Sequence, residues 1–286
     1  MKMTTLIVLG FFLISCESSK NESDDISINT PEPVEDYSFY VQQTIEGVSQ
    51  QREVLVHIPT NFNPNEKQSI VIAFHGNGGQ NDMWVNRFSS FVNSGEFIGV
   101  YPQGHLKSWN LGTEASKANE VYFLEQIMKK LETYSFFNAS KVYGIGYSNG
   151  SGLVNKLAIE TSYFTAIAPL ASQLIAGTVP SVSTAPVSVY QMCGTADPII
   201  PYEGGKSVVG HTFLSGTDSA LNWASAFGCS TIPKIETMGN DQIYIYKDCM
   251  SGKEIRFHSV HEGNHSLNQA NVPDFYNRVW NFLKQF

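Results

Sequence analysis

Apolar and polar residues follow two different periods along the chain. Residues 70–74 form a continuous apolar run, which is typical of a strand covered on both faces. Within residues 118–134 apolar side chains recur every three or four positions, the spacing of an amphipathic helix. The two kinds of segment alternate, which indicates an α/β fold with a mostly parallel central sheet and helices on both faces. The predicted strands lie at residues 39–45, 53–58, 70–74, 97–101, 142–146, 164–170, 187–192, 242–247 and 255–260, and the predicted helices at residues 81–93, 118–134, 149–161, 218–227 and 273–283.

The first residues have the layout of an export signal. Lys2 precedes an apolar run at residues 6–14, which is too short to span a membrane but long enough for the core of a signal peptide. Leu-Ile-Ser-Cys at residues 13–16 resembles the lipobox of bacterial lipoproteins. We therefore predict a signal peptide at residues 1–15 and a lipid on Cys16 that anchors the exported protein at the outer membrane or cell surface. An ordinary signal peptide and a secreted protein, with Cys16 incidental, is the alternative.

Charge is concentrated in one short segment. The 286 residues carry a net charge of −8, and residues 17–36 contribute −6 of it, with seven acidic side chains against Lys20. A segment this acidic and polar buries too little surface to fold, so we expect residues 16–36 to be a flexible tether. Residues 37–286 then form a single, almost neutral domain. It lacks the Lys and Arg clusters that neutralise a phosphate backbone, which argues against nucleic acid as a partner.

Three cysteines remain after Cys16, in a protein expected to reach an oxidising compartment. Cys229 follows a helical pattern and Cys249 ends a strand pattern, and we expect these two to form a disulfide. Cys193 follows the apolar run at residues 187–192 and is expected to be a small buried thiol. The chain has no Cys-x-x-Cys spacing, which argues against a structural zinc site.

A nucleophile motif stands where a predicted strand runs into a predicted helix. Gly-Tyr-Ser-Asn-Gly at residues 146–150 fits Gly-x-Ser-x-Gly, in which the serine occupies a sharp turn and its hydroxyl projects above the sheet. The two glycines remove the Cβ atoms that would collide in such a turn. Ser148 is therefore the candidate nucleophile, with a glycine-rich packing turn as the alternative. A dinucleotide-binding loop starting at Gly144 is excluded because Asn149 stands where that loop needs Gly or Ala.

A serine nucleophile needs a base and an acid that orients the base, and in this kind of arrangement the chain order is Ser, Asp, His. Asp197 comes soon after the predicted strand at residues 187–192, and Pro198 stiffens its loop. We therefore prefer it as the orienting acid over four other acids that follow buried strands less directly, namely Glu203, Asp218, Asp241 and Asp248.

His265 is the candidate base, because it follows the last predicted strand and precedes the final helix. His258 and His261 are the competing histidines. They lie three residues apart on one predicted strand and therefore face opposite sides of it. This arrangement argues against a metal ion shared by the histidines of this segment.

His-Gly-Asn-Gly-Gly at residues 75–79 directly follows the predicted strand at residues 70–74. Its pattern resembles the loop that donates one backbone N–H to the oxyanion, and the residue after the nucleophile, here Asn149, donates a second. A simple turn at the end of the strand is the alternative.

These segments together resemble α/β-hydrolases of the polyhydroxybutyrate-depolymerase-like and feruloyl-esterase-like group, close to carbohydrate esterase family one. The resemblance covers residues 50–286 and also rests on Tyr-Pro-Gln-Gly at residues 101–104, Ser-Trp-Asn at 108–110 and Gly-Thr-Ala-Asp-Pro-Ile-Ile-Pro-Tyr at 194–202. It implies a catalytic triad of Ser148, Asp197 and His265. It also implies that Asn77 and Asn149 line the oxyanion hole, that Trp109 lines the substrate cleft, and that Cys229 and Cys249 are a cysteine pair common in the group.

The resemblance implies a serine carboxylesterase that works through an acyl-enzyme and needs no metal or organic cofactor. Residues 171–186 separate two predicted strands and are too few for a large helical lid, so we expect an open cleft. Tyr101 and Tyr202 are further candidates to line it, whereas Trp84 is expected in the core.

An open cleft suits an ester attached to a polymer. We expect feruloyl or acetyl esters on plant polysaccharide as substrates, with a polyester of the polyhydroxyalkanoate type as the alternative. Two other functions stay open on the same fold: a lipoprotein that binds a ligand without catalysis, which the complete triad argues against, and peptidase or dienelactone-hydrolase activity.

Overall fold

A computed structural model of the chain describes residues 36–269 and 274–286. The predicted signal peptide at residues 1–15, Cys16 and the predicted tether up to residue 35 lie outside the described residues. In the part that is described, no helix is both long enough and apolar enough to cross a membrane.

A ten-stranded sheet forms the centre of the described chain. In chain order the described strands are β1 (Tyr37–Ile45), β2 (Val48–His57), β3 (Gln68–Phe74), β4 (Ile98–Pro102), β5 (Phe137–Tyr147), β6 (Ala166–Leu170), β7 (Ser188–Gly194), β8 (Gly205–Lys206), β9 (Thr212–Phe213), β10 (Lys234–Met238), β11 (Asp241–Tyr246) and β12 (Ile255–Val260). The order across the large sheet is β1-β2-β4-β3-β5-β6-β7-β12-β11-β10, and β8 pairs separately with β9. The six strands from β4 to β12 are parallel, and antiparallel strands flank them on both sides.

Helices cover both faces of this sheet. They are α1 (Met83–Asn93), α2 (Glu120–Leu131), α3 (Asn149–Glu160), α4 (Gly216–Ala226) and α5 (Phe275–Leu283). On one face α2, α3 and α4 bury residues such as Leu124, Leu153 and Trp223. On the other face α1 and α5 bury Trp84 and Val279. Because helices cover the sheet on both faces, the sequences of its central strands are continuous apolar runs.

Side chains at the helix starts explain where two helices begin. The Asn119 carboxamide oxygen accepts a hydrogen bond from the Tyr122 N–H at 3.0 Å and caps α2. The Ser215 hydroxyl accepts from the Asp218 N–H at 3.0 Å and caps α4. Each bond satisfies a backbone donor that the first helical turn leaves unpaired.

The predicted order of strands and helices matches the structure, with shifts of a few residues at most element ends. The hairpin of β8 and β9 was not predicted, because each strand contributes two residues and shows no period. The edge strand β10 was not predicted either, since its residues are exposed on both faces. The predicted Cys229–Cys249 disulfide is present, and Cys193 is the buried free thiol that the sequence indicated.

Candidate active site

A strained turn presents the Ser148 hydroxyl at the carboxyl end of β5. Ser148 has φ 56° and ψ −117°, which lies outside the regions that a non-glycine residue normally adopts. A Cβ at Gly146 would lie 2.0 Å from the carbonyl oxygen of Gly150, and a Cβ at Gly150 would lie 2.3 Å from that of Phe74. The flanking glycines are therefore required by the close approach of strand, turn and helix.

Three predicted residues come together beside this turn, each from a loop that follows a parallel strand. The His265 Nε2 lies 2.8 Å from the Ser148 hydroxyl oxygen, and its Nδ1 lies 2.7 Å from Asp197 Oδ2. A carboxylate can only accept, so Nδ1 carries the proton and Nε2 is free to accept one from the serine. The arrangement is that of a nucleophile, a base and an orienting acid.

The Asp197 carboxylate is held from its other side by its own loop. Its Oδ1 accepts hydrogen bonds from the backbone N–H groups of Ile199 and Ile200 at 2.8 and 3.0 Å. The side chain is 3% exposed. With the carboxylate fixed in this way, the imidazole of His265 has one orientation in which both its nitrogens are satisfied.

The loop that carries His265 is also fixed to the nucleophile strand. The Tyr147 hydroxyl, next to Ser148, donates a hydrogen bond of 2.8 Å to the His265 carbonyl oxygen. The Asn264 carboxamide oxygen accepts from the Ser266 N–H at 2.9 Å and closes a tight turn around the histidine.

The competing histidines are engaged elsewhere. His258 is fully buried on β12, where its Nε2 lies 2.8 Å from Asp241 Oδ2 and its Nδ1 lies 3.1 Å from the Tyr190 hydroxyl. Burial lowers the pKa of His258, against the opposing effect of Asp241. The backbone N–H of His261 donates to the other oxygen of Asp241. Among the described residues no three His, Cys, Asp or Glu side chains are arranged to hold a metal ion.

The backbone N–H groups of two residues near Ser148 are the candidates for an oxyanion hole. Asn77 and Asn149 both line the same cavity as Ser148. Neither N–H donates to another group in the described part of the chain. The Asn149 side chain is fixed, because its Oδ1 accepts from the Trp109 N–H at 2.8 Å and its Nδ2 donates to the Trp109 carbonyl at 3.1 Å. These are the properties required of an oxyanion hole.

A buried histidine shapes the loop that contains Asn77. His75 Nε2 accepts from the Gly104 N–H and from the Gln103 carboxamide, both at 3.0 Å, so the ring proton sits on Nδ1 and points to the Gly76 carbonyl at 2.7 Å. Burial lowers the pKa of His75, and nearby Arg52 adds to the effect. His75 is therefore a neutral structural element of the loop.

Behind this loop lies a buried ion pair. Arg52 Nη1 donates to Glu120 Oε2 at 2.8 Å and to the Gln43 carboxamide oxygen at 3.1 Å. The other oxygen of Glu120 accepts from the Asn110 N–H at 3.0 Å. The pair thus connects β1, β2 and α2 to the loop that precedes α2, whose Trp109 contacts Asn149.

The cavity that opens on Ser148 has a volume of about 380 Å³. Its walls come from the loop after β4, the elbow at Ser148, and the 205–213 hairpin formed by β8, β9 and their turn. The lining is mostly apolar, with polar groups from Glu114, His211 and the Ser148 region. The lining residues are Asn77, Leu106, Ser108, Leu111, Thr113, Glu114, Ala115, Ser148, Asn149, Ser172, Ile200, Val209, His211 and Phe213.

The structure contradicts the prediction that Trp109 and Tyr101 line the substrate site, and Tyr202 is not among the residues that line the cavity at Ser148. Trp109 is fully buried, and its indole N–H donates to the His75 carbonyl at 2.7 Å, so it supports the loop at residues 75–79 from behind. Tyr101 is fully buried on β4, where its ring packs against Phe88. Tyr202 is half-buried, with its ring stacked near Phe257 and its hydroxyl 2.9 Å from that of Ser259.

Two polar cavity residues, Glu114 and His211, were missed at the sequence level. Both lie in loops without a periodic pattern, far apart in the chain. The Ser-Trp-Asn segment at residues 108–110 lies in the first of these loops, but nothing in the sequence indicates that the 205–213 hairpin folds over it. Their contact is a product of tertiary packing.

Comparison with known proteins finds esterases. No protein-family model matches the chain. Feruloyl esterase B of Piromyces equi is 25% identical over 249 residues, which cover 82% of this chain and 45% of that protein. The chain spans 45% to 59% of the length of the first curated relatives that it matches.

Solved structures show the fold. Acetyl xylan esterase from Aspergillus awamori matches with a TM-score of 0.60 at 14% identity, covering 87% of this chain and 99% of that one. The Bacillus cereus carboxylesterase matches with a TM-score of 0.53 at 13% identity, covering 82% and 94%. With the mostly parallel sheet and its flanking helices, these matches confirm the predicted α/β-hydrolase fold.

Proposed function

We propose that the protein is a serine carboxylesterase that hydrolyses esters through a covalent acyl-enzyme. The observation that supports this most strongly is the pair of hydrogen bonds, 2.8 and 2.7 Å long, that joins Ser148 to His265 and His265 to Asp197. The similarity to proteins named as esterases supports the same reaction class.

In the first half-reaction, His265 Nε2 takes the proton of the Ser148 hydroxyl while the serine oxygen attacks the ester carbonyl carbon. The carbonyl π electrons move to oxygen, and the N–H groups of Asn77 and Asn149 stabilise the resulting oxyanion. Each such donor contributes about 3 kcal/mol in the transition state. Asp197 stabilises the imidazolium. The tetrahedral intermediate then collapses, the bond to the alcohol oxygen breaks, and His265 gives its proton to the leaving alcohol.

In the second half-reaction a water molecule replaces the alcohol. His265 removes a proton from the water, the hydroxide adds to the acyl carbon, and the bond to Ser148 breaks as the serine recovers a proton from the imidazolium. The products are a carboxylic acid, an alcohol and the free enzyme. These steps use groups of the chain and water.

The cavity lining supports an assignment of the two sides of the ester. The leaving alcohol must be next to His265, which protonates it, whereas the acyl group lies beyond the carbonyl held by Asn77 and Asn149. Both asparagines and Ser148 line the cavity, and His265 does not. The cavity therefore receives the acyl group, and the alcohol points out towards solvent, where a polymer chain has room.

The size and walls of the cavity favour a large acyl group. An acetyl group fills a small part of about 380 Å³, and side chains such as Leu111, Ile200 and Phe213 offer an apolar surface. Among the substrates considered, feruloyl esters of plant polysaccharide fit these features best. The similarity to a protein named feruloyl esterase B supports this substrate class.

The proposed location is the outer membrane or cell surface, through a lipid on Cys16. The Leu-Ile-Ser-Cys segment at residues 13–16 supports it. Expression of the full chain in a bacterial host with a labelled fatty acid should give a labelled, membrane-associated protein, and Cys16→Ser should release it unlabelled. Equal labelling of both forms would contradict the anchor.

The function is tested by ester hydrolysis with the wild type and Ser148→Ala. We expect the wild type to hydrolyse p-nitrophenyl acetate and the variant to lose at least about a thousandfold in kcat, because the nucleophile is gone. A variant with wild-type turnover would contradict the proposal. Assays on methyl ferulate, acetylated xylan and a polyhydroxyalkanoate film then distinguish the substrate classes. Among the soluble esters, we expect the highest kcat/KM on methyl ferulate.

A further inference from the structure

A polar cluster, in which His211 is buried and Glu114 is largely buried, stands at the wall of the mostly apolar cavity. The Glu114 carboxylate side chain is 13% exposed and that of His211 is 6% exposed, and both line the cavity with Thr113. His211 Nε2 lies 2.8 Å from Glu114 Oε1 and 2.9 Å from the Thr113 hydroxyl. Burying a carboxylate costs free energy unless its oxygens are hydrogen-bonded, so the number of bonds that it makes is informative.

The Glu114 carboxylate accepts three hydrogen bonds from the protein. Oε1 accepts from His211 and from Asn149 Nδ2, the latter at 3.3 Å, and Oε2 accepts from the Leu111 N–H at 2.8 Å. Two carboxylate oxygens offer about four lone-pair sites. The described residues therefore leave one site on Oε2 without a donor, and Glu114 is among the residues that line the cavity.

The position of the cluster relative to the nucleophile sets which part of a substrate can reach it. Asn149 follows Ser148 and contributes the proposed oxyanion N–H, and its side chain touches Glu114. One side chain and one hydrogen bond thus separate the elbow from the carboxylate. Asn149 and Glu114 line the same cavity as the apolar side chains of Leu111 and Phe213, along which an acyl group has room to extend.

We propose that Glu114, positioned by His211, determines acyl specificity by accepting a hydrogen bond from a hydroxyl at the far end of the acyl group. The preferred acyl group then has an apolar body, which fits Leu111 and Phe213, and a terminal hydroxyl donor, as in a 4-hydroxycinnamoyl ester. This inference rests on the proposed function, because it assumes that the ester reacts at Ser148. It adds the residue that recognises the acyl group.

The 205–213 hairpin contributes to this site because it carries His211. The Ala176 N–H donates to the Thr212 carbonyl at 2.8 Å, and the Leu214 N–H donates to the Leu174 carbonyl at 3.0 Å, which attaches the hairpin to the segment after β6. The hydrogen bond between His211 and Glu114 attaches it to the loop after β4. Glu114 is therefore held between two loops and is oriented before substrate binds.

The test compares kcat/KM of the wild type on three methyl esters: 4-hydroxycinnamate, 4-methoxycinnamate and unsubstituted cinnamate. The methoxy ester keeps the ring and the oxygen but cannot donate a hydrogen bond. We expect a preference of roughly 10- to 100-fold for the hydroxy ester over the methoxy ester, the effect of one hydrogen bond to a charged group. Equal kcat/KM for the two would overturn the proposal without any variant.

Variants locate the preference. Glu114→Gln should lower the ratio of hydroxy to methoxy kcat/KM towards one, whereas Val208→Ala, on the exposed turn of the same hairpin and outside the cavity lining, should keep the wild-type ratio. If Glu114→Gln lowers both rates equally and keeps the ratio, Glu114 is a structural residue and the proposal fails. If the wild type hydrolyses none of these esters but does hydrolyse p-nitrophenyl acetate in a Ser148-dependent way, only this inference fails. Inactivity on p-nitrophenyl acetate as well would overturn the proposed function itself.

Discussion

At the scale of single residues, the site depends on a few positions where geometry leaves no choice of side chain. Ser148 adopts a strained backbone conformation because β5, the turn and α3 approach each other closely. Gly146 and Gly150 make that approach possible. The strain is stored where the nucleophile must project from the sheet, which is a common property of functional turns.

Gly150→Ala tests this close approach. The new Cβ would lie 2.3 Å from the Phe74 carbonyl oxygen and 2.6 Å from that of His75, so strand β3 or helix α3 must move. We expect a loss of about 1–3 kcal/mol in the free energy of unfolding, the usual effect of overpacking, measured by urea denaturation.

Gly76→Ala is the matched control in the neighbouring loop. Its Cβ would meet atoms at 3.3 and 3.4 Å, which is tight but tolerable. It should therefore cost clearly less than Gly150→Ala. Equal losses for the two variants would contradict the packing that we describe around the elbow.

At the scale of elements, four loops at the carboxyl ends of parallel strands carry the site, and a buried ion pair braces a fifth loop, which follows β4. Asn77, Ser148, Asp197 and His265 follow β3, β5, β7 and β12 in that order. Arg52 on β2 pairs with Glu120 on α2, and Glu120 accepts from the Asn110 N–H in the loop that contains Glu114 and contacts Asn149. The strands fix the spacing of the reacting groups, and the pair fixes the cavity wall.

Arg52→Met leaves the Glu120 carboxylate buried without its counter-ion. We expect a loss of about 3–5 kcal/mol in the free energy of unfolding. Adding Glu120→Leu should recover part of this loss, because the unpaired charge is then removed as well. Urea denaturation of the two single variants and the double variant measures the coupling.

Lys156→Met is the control for this experiment, since its pair with Glu160 has a comparable distance of 2.6 Å but lies at the surface. An exposed ion pair contributes about 0–1 kcal/mol to the free energy of unfolding. A loss for Arg52→Met no larger than that for Lys156→Met would show that the buried pair does not brace the loop.

At the scale of the whole molecule, stability should depend on pH through buried histidines. Burial lowers the pKa of His57, His75 and His258 below the value of 6.5 expected in the unfolded chain. When pH falls through about 6.5, the unfolded chain takes up protons that the folded chain does not. The free energy of unfolding should therefore decrease as pH is lowered from 7.5 to 5.5.

Urea denaturation at several pH values in this window measures the effect. His258→Gln removes one of the three groups and should flatten the dependence. Stability that stays constant or increases towards pH 5.5 would contradict the assignment of these histidines as buried and neutral.

The sequence predicts the parts of the molecule that follow from strand order. Ser148, Asp197 and His265 each follow a strand with a clear apolar pattern, so their meeting at one sheet edge could be inferred. The Cys229–Cys249 pair was also predictable, because Cys229 follows a helical pattern and Cys249 ends a strand pattern. The motif at residues 75–79 marked the loop whose Asn77 lines the cavity at Ser148.

Features that depend on loop packing could not be predicted in this way. Trp109 and Tyr101 stand next to motif residues, but residue type does not show whether an aromatic ring faces a cavity or the core, and both are buried. Glu114 and His211 are separated by nearly a hundred positions and meet because the 205–213 hairpin folds over the cavity. The edge strand β10 lacks a buried face and hence a pattern.

The most direct test of the central claim is covalent labelling of the nucleophile. The full-length protein is incubated with a fluorophosphonate and analysed by peptide mass mapping. We expect one modification, on Ser148, with a parallel loss of esterase activity. The Asp197→Asn variant should be labelled much more slowly, because the His265 imidazole is then no longer oriented to accept the serine proton. Labelling of another residue, or full activity after complete modification of Ser148, would contradict the account.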